Sequence, residues 1–490
     1  MTASPTTTTY EVVIGIEVHA QLATKSKMFC GCSADYHEAE PNTHVCPVCL
    51  GMPGVLPVIN RRAVEYTIMT GLALNCAVPA RAKFDRKNYP YPDLPKGYQI
   101  SQYDLPLCRD GWIEIDVDGA TKRIGITRVH LEEDTARSMH VANGTGDEYS
   151  LVEMNRSGVP LMEIVTEPDV RSSQEARLYV VRLQQVLRYL GVSRANLEEG
   201  NMRCEPNVSL RPVGRAEFGT KVELKNLNSF HAVEQGIEYE IQRQRQLLDT
   251  GERVVQETRG WREEEGRTVS QRSKEFAADY RYFPEPDLPP LTIDRAYVEE
   301  LRARLPELPH AKRQRFISQY GLSDYEAHLL TADRDRADFY EAAVGSDAGL
   351  AKAVANWMIG EVARLENAAG IDVTASQLRP EHIREIVAMV QDGSTNATTA
   401  KSVLETAFGS GKSPRAIVEE QGLTQITGAD EISGAARQVI AANPKPVADF
   451  RGGKEAAIKA LVGLVMRETR GRANPQLAEQ LLRDELTKGG

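Results

Sequence analysis

Two groups of residues near the start of the chain have the types and spacing to do chemistry. In "CGCSADYHEAEPNTHVCPVC", Cys30 and Cys32 form a C-x-C pair, 13 residues intervene, and Cys46 and Cys49 form a C-x-x-C pair. Four thiolates so spaced close a tetrahedral zinc site, which leaves no position for water and is therefore structural. His37 and His44 share this loop but are not needed as ligands. Reduced cysteines packed as small hydrophobes are the competing reading, which so dense a cluster disfavours. The second group lies in "VVIGIEVHAQL", residues 12–22, where Val12, Ile14, Ile16, Val18, Ala20 and Leu22 form one apolar strand face. Alternation places Glu17 and His19 side by side on the other face, with Gln21 next in line.

Similar polar faces recur in residues 83–104, 130–134, 154–169, 197–211 and 221–230. Each alone is an ordinary solvated strand face. Together they predict a concave site lined by Glu, His, Asn, Lys and Arg. Carboxylates and imidazole hold Mg²⁺, and cations offset charge on a transferring phosphoryl group, so the set suggests ATP-dependent activation of a carboxylate. Alternation puts Glu132 on one face with Arg128 and His130, and Glu205 and Asn207 on one face of "NMRCEPNVSLR". A non-catalytic zinc-bearing scaffold that positions RNA would have no need of clustered Glu and His in a cleft.

The elements that must hold these residues predict an α+β fold with an antiparallel or mixed sheet. Residues 1–9 are expected to be disordered, and residues 10–293, with the zinc knuckle at 30–49, to form the large domain. "WIEIDVDGATKRIGITRVHLEED" holds a Val-Asp-Gly turn between alternating runs, a hairpin signal. Residues 173–190 carry a helical apolar stripe. The four prolines of "YFPEPDLPP" predict a linker. Helical periodicity follows over 294–407, with Pro380 starting a helix, and again over 415–490, a small helical tail in which Gly471 ends a helix. "GSGKS" at 409–413 is not a P-loop: Thr406 stands where the first glycine belongs and a helix precedes it, so a hinge is expected there.

The chain has 490 residues, 41% hydrophobic and 26% charged, with a net charge of -10 that argues against indiscriminate nucleic-acid binding. Residues 445–488 hold nine Lys or Arg against six Asp or Glu, a local excess that suits RNA phosphates and equally an ordinary solvated helix face. An odd total of seven cysteines speaks against a disulfide framework. No apolar run suits a membrane span and the start lacks secretory features, so a cytoplasmic protein is expected.

The segments "IGIEVHAQL", "KFDRKNYPYPDLPKGYQISQ", "MNRSGVPLMEIVTEPD", "EGNMRCEPNVSLRP", "KVELKNLNSF", "DYRYFPEPDLPPL" and "NPQLAEQLLRDEL" together resemble the B subunits of bacterial aspartyl/glutamyl-tRNA amidotransferases across nearly the whole chain. The family usually has Asp and an aromatic or Leu before Asn155; Glu153 and Met154 keep that character. The resemblance implies a cradle like the glutamine synthetase and guanido kinase fold, a helical domain and a YqeY-like tail. It implies a carbon–nitrogen ligase, using glutamine as amido donor, that makes Gln-tRNA(Gln) or Asn-tRNA(Asn). ATP and Mg²⁺ would serve to phosphorylate the side-chain carboxylate of the mischarged tRNA. It also implies a heterotrimer, completed by an amidase (the A subunit) and a small third protein (the C subunit). The absence of a Gly-Gly-Ser-Ser amidase segment in this chain likewise calls for a partner to supply ammonia.

From the family's Glu-x-His and Glu-Glu-Asp segments, Glu17, His19 and Glu133 are the implied Mg²⁺ ligands, while alternation favours Glu132, so both glutamates stand. Lys87 and Lys221 are expected beside them in catalysis, and Tyr89, Tyr91, Lys96, Glu205, Asn207 and Lys225 in binding the cofactor. Metal analysis of the purified protein is expected to return about one zinc per chain; a metal-free, normally folded preparation would count against the knuckle.

Overall fold

The apolar face of the first strand decides the architecture, because Ile14, Ile16, Val18 and Ala20 are all fully buried. In the computed structural model, which describes residues 9–142, 148–273, 280–423, 429–469 and 471–488, this strand sits inside an eight-stranded sheet. In chain order its strands are β1 (Tyr10–Gln21), β2 (Cys108–Val117), β3 (Ala120–Glu133), β4 (Pro160–Thr166), β5 (Met202–Pro212), β6 (Val222–Lys225), β7 (Glu257–Arg262) and β8 (Arg267–Ser273). They lie side by side as β8-β7-β6-β5-β1-β4-β3-β2. Only the β6–β7 pairing is parallel, so the sheet is mixed, as expected.

Three helices cover the apolar face: α1 (Arg61–Ala73), α2 (Ser173–Leu190) and α3 (Phe230–Asp249). The bounds of α2 follow from local chemistry. The Ser172 side chain accepts the Glu175 amide at the start, and Gly191 takes the left-handed conformation (φ 66°) that closes the end. Tyr179, Leu183 and Leu187 then pack, fully buried, in one cluster with the strand residues. Each such side chain contributes about 1.5–3 kcal/mol. The β2–β3 hairpin turns at Asp118 and Gly119, both at positive φ (50° and 82°), as the Val-Asp-Gly signal predicts.

A β-bulge in β3 controls what the opposite face presents. Register slips between Ile126 and Arg128, leaving Thr127 as the extra residue. Before the slip the even-numbered Ile124 and Ile126 enter the core; after it the odd-numbered Val129 and Leu131 do. Arg128, His130 and Glu132 are thereby turned to the polar side.

The proline-rich segment is not a linker. Phe283–Pro284 pairs with Arg86 and Asp85, and Leu291–Thr292 pairs with Ala82 and Arg81. Glu285 is buried and takes two hydrogen bonds from Arg86, Nε at 2.7 Å and Nη2 at 2.8 Å. Prolines suit these short edge pairings, which need few amide donors.

The chain divides into two compact units, Met1–Leu308 and Pro309–Gly490. The second is helical. Its helix over 351–369 contains one π turn at Met358–Val362, and the expected helix from Pro380 spans Pro380–Gln391. Residues 408–410 continue the helix Ala397–Ser410; the break is confined to 411–413, and the short helix Pro414–Glu420 places Ile417 and Val418 in the same core as the preceding helices. A separate core runs from Ile432 to Leu486, so the tail's own packing begins later than residue 415. The expectation of disorder at the N-terminus falls mostly on residues 1–8, outside the described residues. No described helix is long and apolar enough to cross a membrane.

Glu285→Ala is expected to destabilise the first unit by about 3 kcal/mol by stranding the Arg86 charge. Limited proteolysis should then cut within residues 283–292; an uncut, equally stable variant would contradict the packed reading of this segment.

Candidate functional site

Antiparallel pairing converts scattered polar residues into one cluster, because directly opposed residues face the same way. His19 opposes Glu163 on β4 and Arg203 on β5, Glu17 opposes Glu205, Asn207 opposes Glu223, and His130 opposes Glu163. These side chains line a cavity of about 420 Å³, joined by Lys87, Arg128, Glu132, Lys221 and Lys225.

Two carboxylates sit between two imidazoles at its floor. His19 Nε2 lies 3.4 Å from Glu163 and 3.6 Å from Glu132, and His130 Nε2 lies 3.3 Å from Glu163. Ser101 Oγ donates to Glu132 at 3.1 Å. The buried Nδ1 atoms of both histidines have no hydrogen-bond partner. Burial opposes charge on His19, but Glu163, Glu205 and Glu132 outweigh it and raise its pKa to about 9. Burial also opposes charge on Glu163, yet His130 and His19 hold its pKa well below the usual value. Glu17 has the opposite fate: burial, then repulsion from Glu163, pushes its pKa up.

Next to the floor, Asn207 Nδ2 donates to Glu17 at 3.1 Å and Lys225 Nζ to Glu205 at 2.8 Å. Two groups of donors are close enough for metal ligation, His19 with Glu132 and Glu163, and Glu17 with Glu205 and Glu223. The carboxylate oxygens fit a hard divalent cation, and the His19 imidazole adds a nitrogen donor to the first group. Lys87 is half-buried beside the cluster, where Glu132 and neighbouring groups overcome desolvation and raise its pKa.

Glu133 does not join Glu17 and His19. Neighbours on a strand point to opposite faces, so while Glu132 enters the cavity, Glu133 turns away to accept from Lys96 Nζ and from the Ile100 amide at 2.9 Å. Lys96 and Glu133 line a second cavity of about 420 Å³, behind the strand, with Cys30 and Cys49 in its wall. Lys96 is thus also apart from Lys87, and Tyr91 lies outside the lining of the polar cavity, its ring edge-on to Tyr89. Tyr89, Glu205, Asn207, Lys221 and Lys225 do line it.

Glu163 and Glu223 were not singled out by the sequence, nor was Arg203. Glu163 had left a signal, a lone charge inside the apolar run "PLMEIVT". Glu223 and Arg203 become conspicuous only once β5 is paired with its neighbours. Gln21 finds a purpose here too: its Nε2 donates to Asp134 at 2.8 Å, while Arg203 Nη2 reaches the other Asp134 oxygen at 3.1 Å.

The four clustered cysteines bring their sulfurs within 4.8 Å of one another and could hold a metal ion. Cys46 Sγ and Cys49 Sγ are 3.9 Å apart, close to the roughly 3.8 Å expected around a tetrahedral ion with ~2.3 Å bonds. The Cys30 thiol donates to Cys49, and with Lys27 nearby this overcomes burial and lowers the Cys49 pKa to about 4. Buried Lys27 donates from Nζ to the His44 carbonyl at 2.8 Å, placing a fixed cation beside the sulfurs.

The pattern of the GatB/GatE catalytic domain matches residues 12–299, and that of the GatB domain matches residues 338–486. The chain belongs to the GatB family. It is 56% identical to a protein of Dehalococcoides mccartyi over 98% of this chain and 100% of that one. Comparable relatives occur in Carboxydothermus hydrogenoformans (55%, covering 98% and 99%) and Thermomicrobium roseum (56%, covering 97% and 99%). All three are named as the B subunit of an aspartyl/glutamyl-tRNA(Asn/Gln) amidotransferase.

Asp134 yields a pH test. Burial opposes its charge, but Arg203 and Arg156 hold its pKa below 3.8, so the stability it contributes is present above that value and lost as pH falls through its folded pKa. Asp134→Asn is expected to cost about 3 kcal/mol at neutral pH and to flatten the acid limb of a stability-against-pH curve. An unchanged acid limb would show that the contacts carry no charge-dependent stability.

Proposed function

We propose that this chain is the ATP- and Mg²⁺-dependent component of a tRNA-dependent amidotransferase, activating the side-chain carboxylate of Glu-tRNA(Gln) or Asp-tRNA(Asn) and then amidating it. The observation that carries the reading is the convergence of two histidines, five glutamates and several Lys and Arg in one cavity. Phosphoryl transfer asks a protein chiefly for this: positioned ligands and charge neutralisation. A bound Mg²⁺ would supply positive charge at the transferring phosphoryl group. His19, Glu132 and Glu163 are the best-placed ligands, with Glu17, Glu205 and Glu223 as a second set.

Lys87, Arg128, Arg203, Lys221 and Lys225 are the cations available to orient phosphate and carboxylate oxygens. The substrate carboxylate oxygen attacks the terminal phosphorus, and the phosphorus–oxygen bond to ADP breaks. Ammonia then attacks the acyl carbon, loses a proton, and phosphate departs with the bonding pair. A carboxylate oxygen is a poor leaving group and phosphate a good one, which is why the first step must precede the second.

The relatives' designation as B subunits supports a complex in which an amidase, the A subunit, releases ammonia from glutamine, and a small C subunit completes a heterotrimer. The four cysteines hold a structural Zn²⁺. The first unit forms a catalytic cradle of the glutamine synthetase and guanido kinase type, and the second a helical domain followed by a YqeY-like tail whose basic excess meets tRNA phosphates. All of this chemistry belongs to the cytoplasm, where aminoacyl-tRNA is made and used.

In the assembled complex with mischarged tRNA, ATP and glutamine, Glu163→Gln and His19→Ala are each expected to lower both ADP formation and tRNA amidation by about 100-fold or more. Activity at the wild-type level in both variants would sink the metal-site assignment.

A further inference from the structure

Aromatic rings form a wall along the polar cavity. Tyr89 meets Tyr280 edge to face (5.9 Å between centroids, 68°), and Tyr280 meets Tyr282 (5.9 Å, 71°). Edge-to-face contact is how aromatic rings ordinarily pack together. The last contact differs. Tyr103 and Tyr282 lie face to face, 4.3 Å apart and only 7° from parallel. Both rings line the cavity, yet Tyr103 is 57% exposed. A parallel pair in this position presents a flat aromatic surface at the rim of a phosphate-handling site.

The backbone that carries both rings is anchored before anything binds. The Tyr103 amide donates to Asp85 Oδ2 at 3.1 Å, and Asp85 is buried. Tyr282 directly precedes Phe283–Pro284, which pairs with the strand containing Asp85 and Arg86. Between Tyr280 and Tyr282, Arg281 adopts a φ of 44°, a left-handed conformation that a residue with a side chain keeps only where its surroundings impose it. Lys87 Nζ sits 5.0 Å from the Tyr280 ring centroid and 5.9 Å from that of Tyr89, so a cation marks the inner end of the same wall. A flat hydrophobic plate outside and cations and carboxylates inside match a molecule with a planar base at one end and phosphate at the other.

We infer that the outer face of Tyr103, backed by Tyr282, is a stacking platform for an adenine base, with the attached phosphate or ester end directed to the Lys87 and Glu163 side of the cavity. The inference rests on the amidotransferase reading, in which two substrates bring adenine to this site: ATP and the 3′-terminal adenosine of the aminoacyl-tRNA. Bases stack on tyrosine through their π faces, with no hydrogen-bond readout required, so the ring and not the hydroxyl of Tyr103 is what matters.

The test is steady-state amidation by the assembled complex, with KM measured separately for ATP and for aminoacyl-tRNA. Tyr103→Ala is expected to raise one of the two by roughly tenfold or more, with kcat and Tm near the wild-type values. Tyr103→Phe and Tyr103→Trp keep a ring and should stay within about twofold of wild type. A raised KM for ATP assigns the platform to the nucleotide; a raised KM for tRNA assigns it to the terminal adenosine. If Tyr103→Ala and Tyr282→Ala leave both KM values unmoved at unchanged Tm, the platform is overturned. A wild-type complex that forms no ADP would overturn the amidotransferase reading itself, an outcome distinct from an active wild type with indifferent tyrosine variants.

Discussion

Repulsion among buried carboxylates is the constraint around which this structure is organised. Glu132 and Glu163 share His19 and His130 at the cavity floor, and Glu17, Glu205 and Glu223 gather next to them with ligand atoms within 4.8 Å. Like charges this close, with little water between them, repel strongly, and at Glu17 burial and then repulsion from Glu163 push the pKa up. The arrangement is eased by Lys225, which pairs with Glu205, and by the pull of the surrounding acids on His19, which raises its pKa. An added divalent cation would relieve the same repulsion. The geometry is therefore poised to gain energy from what the proposed reaction brings in.

Such a cluster needs a rigid floor. The apolar faces of β1 and β5 are pressed onto α2 and α3, which fixes the strands, and the pairing register then sets which acids face each other. A one-residue slip would exchange the polar and apolar faces, so register is specified by the core behind the site as much as by the hydrogen bonds. The bulge at Thr127 breaks that rule in β3, and it delivers Arg128, His130 and Glu132 to the cavity.

The short strand Tyr98–Ser101 connects the cavity with its neighbour on the other side of β3. Ser101 donates to Glu132 in one, and the Ile100 amide donates to Glu133 in the other. The adjacent glutamates are thus held in opposite directions by adjacent residues, and the cysteine cluster borders the second cavity through Cys30 and Cys49. This explains why family likeness and alternation pulled apart over Glu132 and Glu133: a motif quoted as Glu-Glu-Asp does not say which way each side chain points.

The sequence by itself determined what depends on neighbours along the chain. The alternation of β1, the Asp118–Gly119 turn, the caps of α2, the cysteine spacing and the family all follow from contacts within a few residues or from motifs read whole. Tertiary structure decided what depends on partners far along the chain. Glu163 reaches His19 only because β1 and β4 pair, Glu223 reaches Asn207 only through β5 and β6, and Gln21 meets Asp134 from another strand. The proline-rich segment misled for the same reason: proline forbids a helix and a central strand, but whether an edge pairing and a buried Arg86–Glu285 contact await it is settled by residues some 200 positions away.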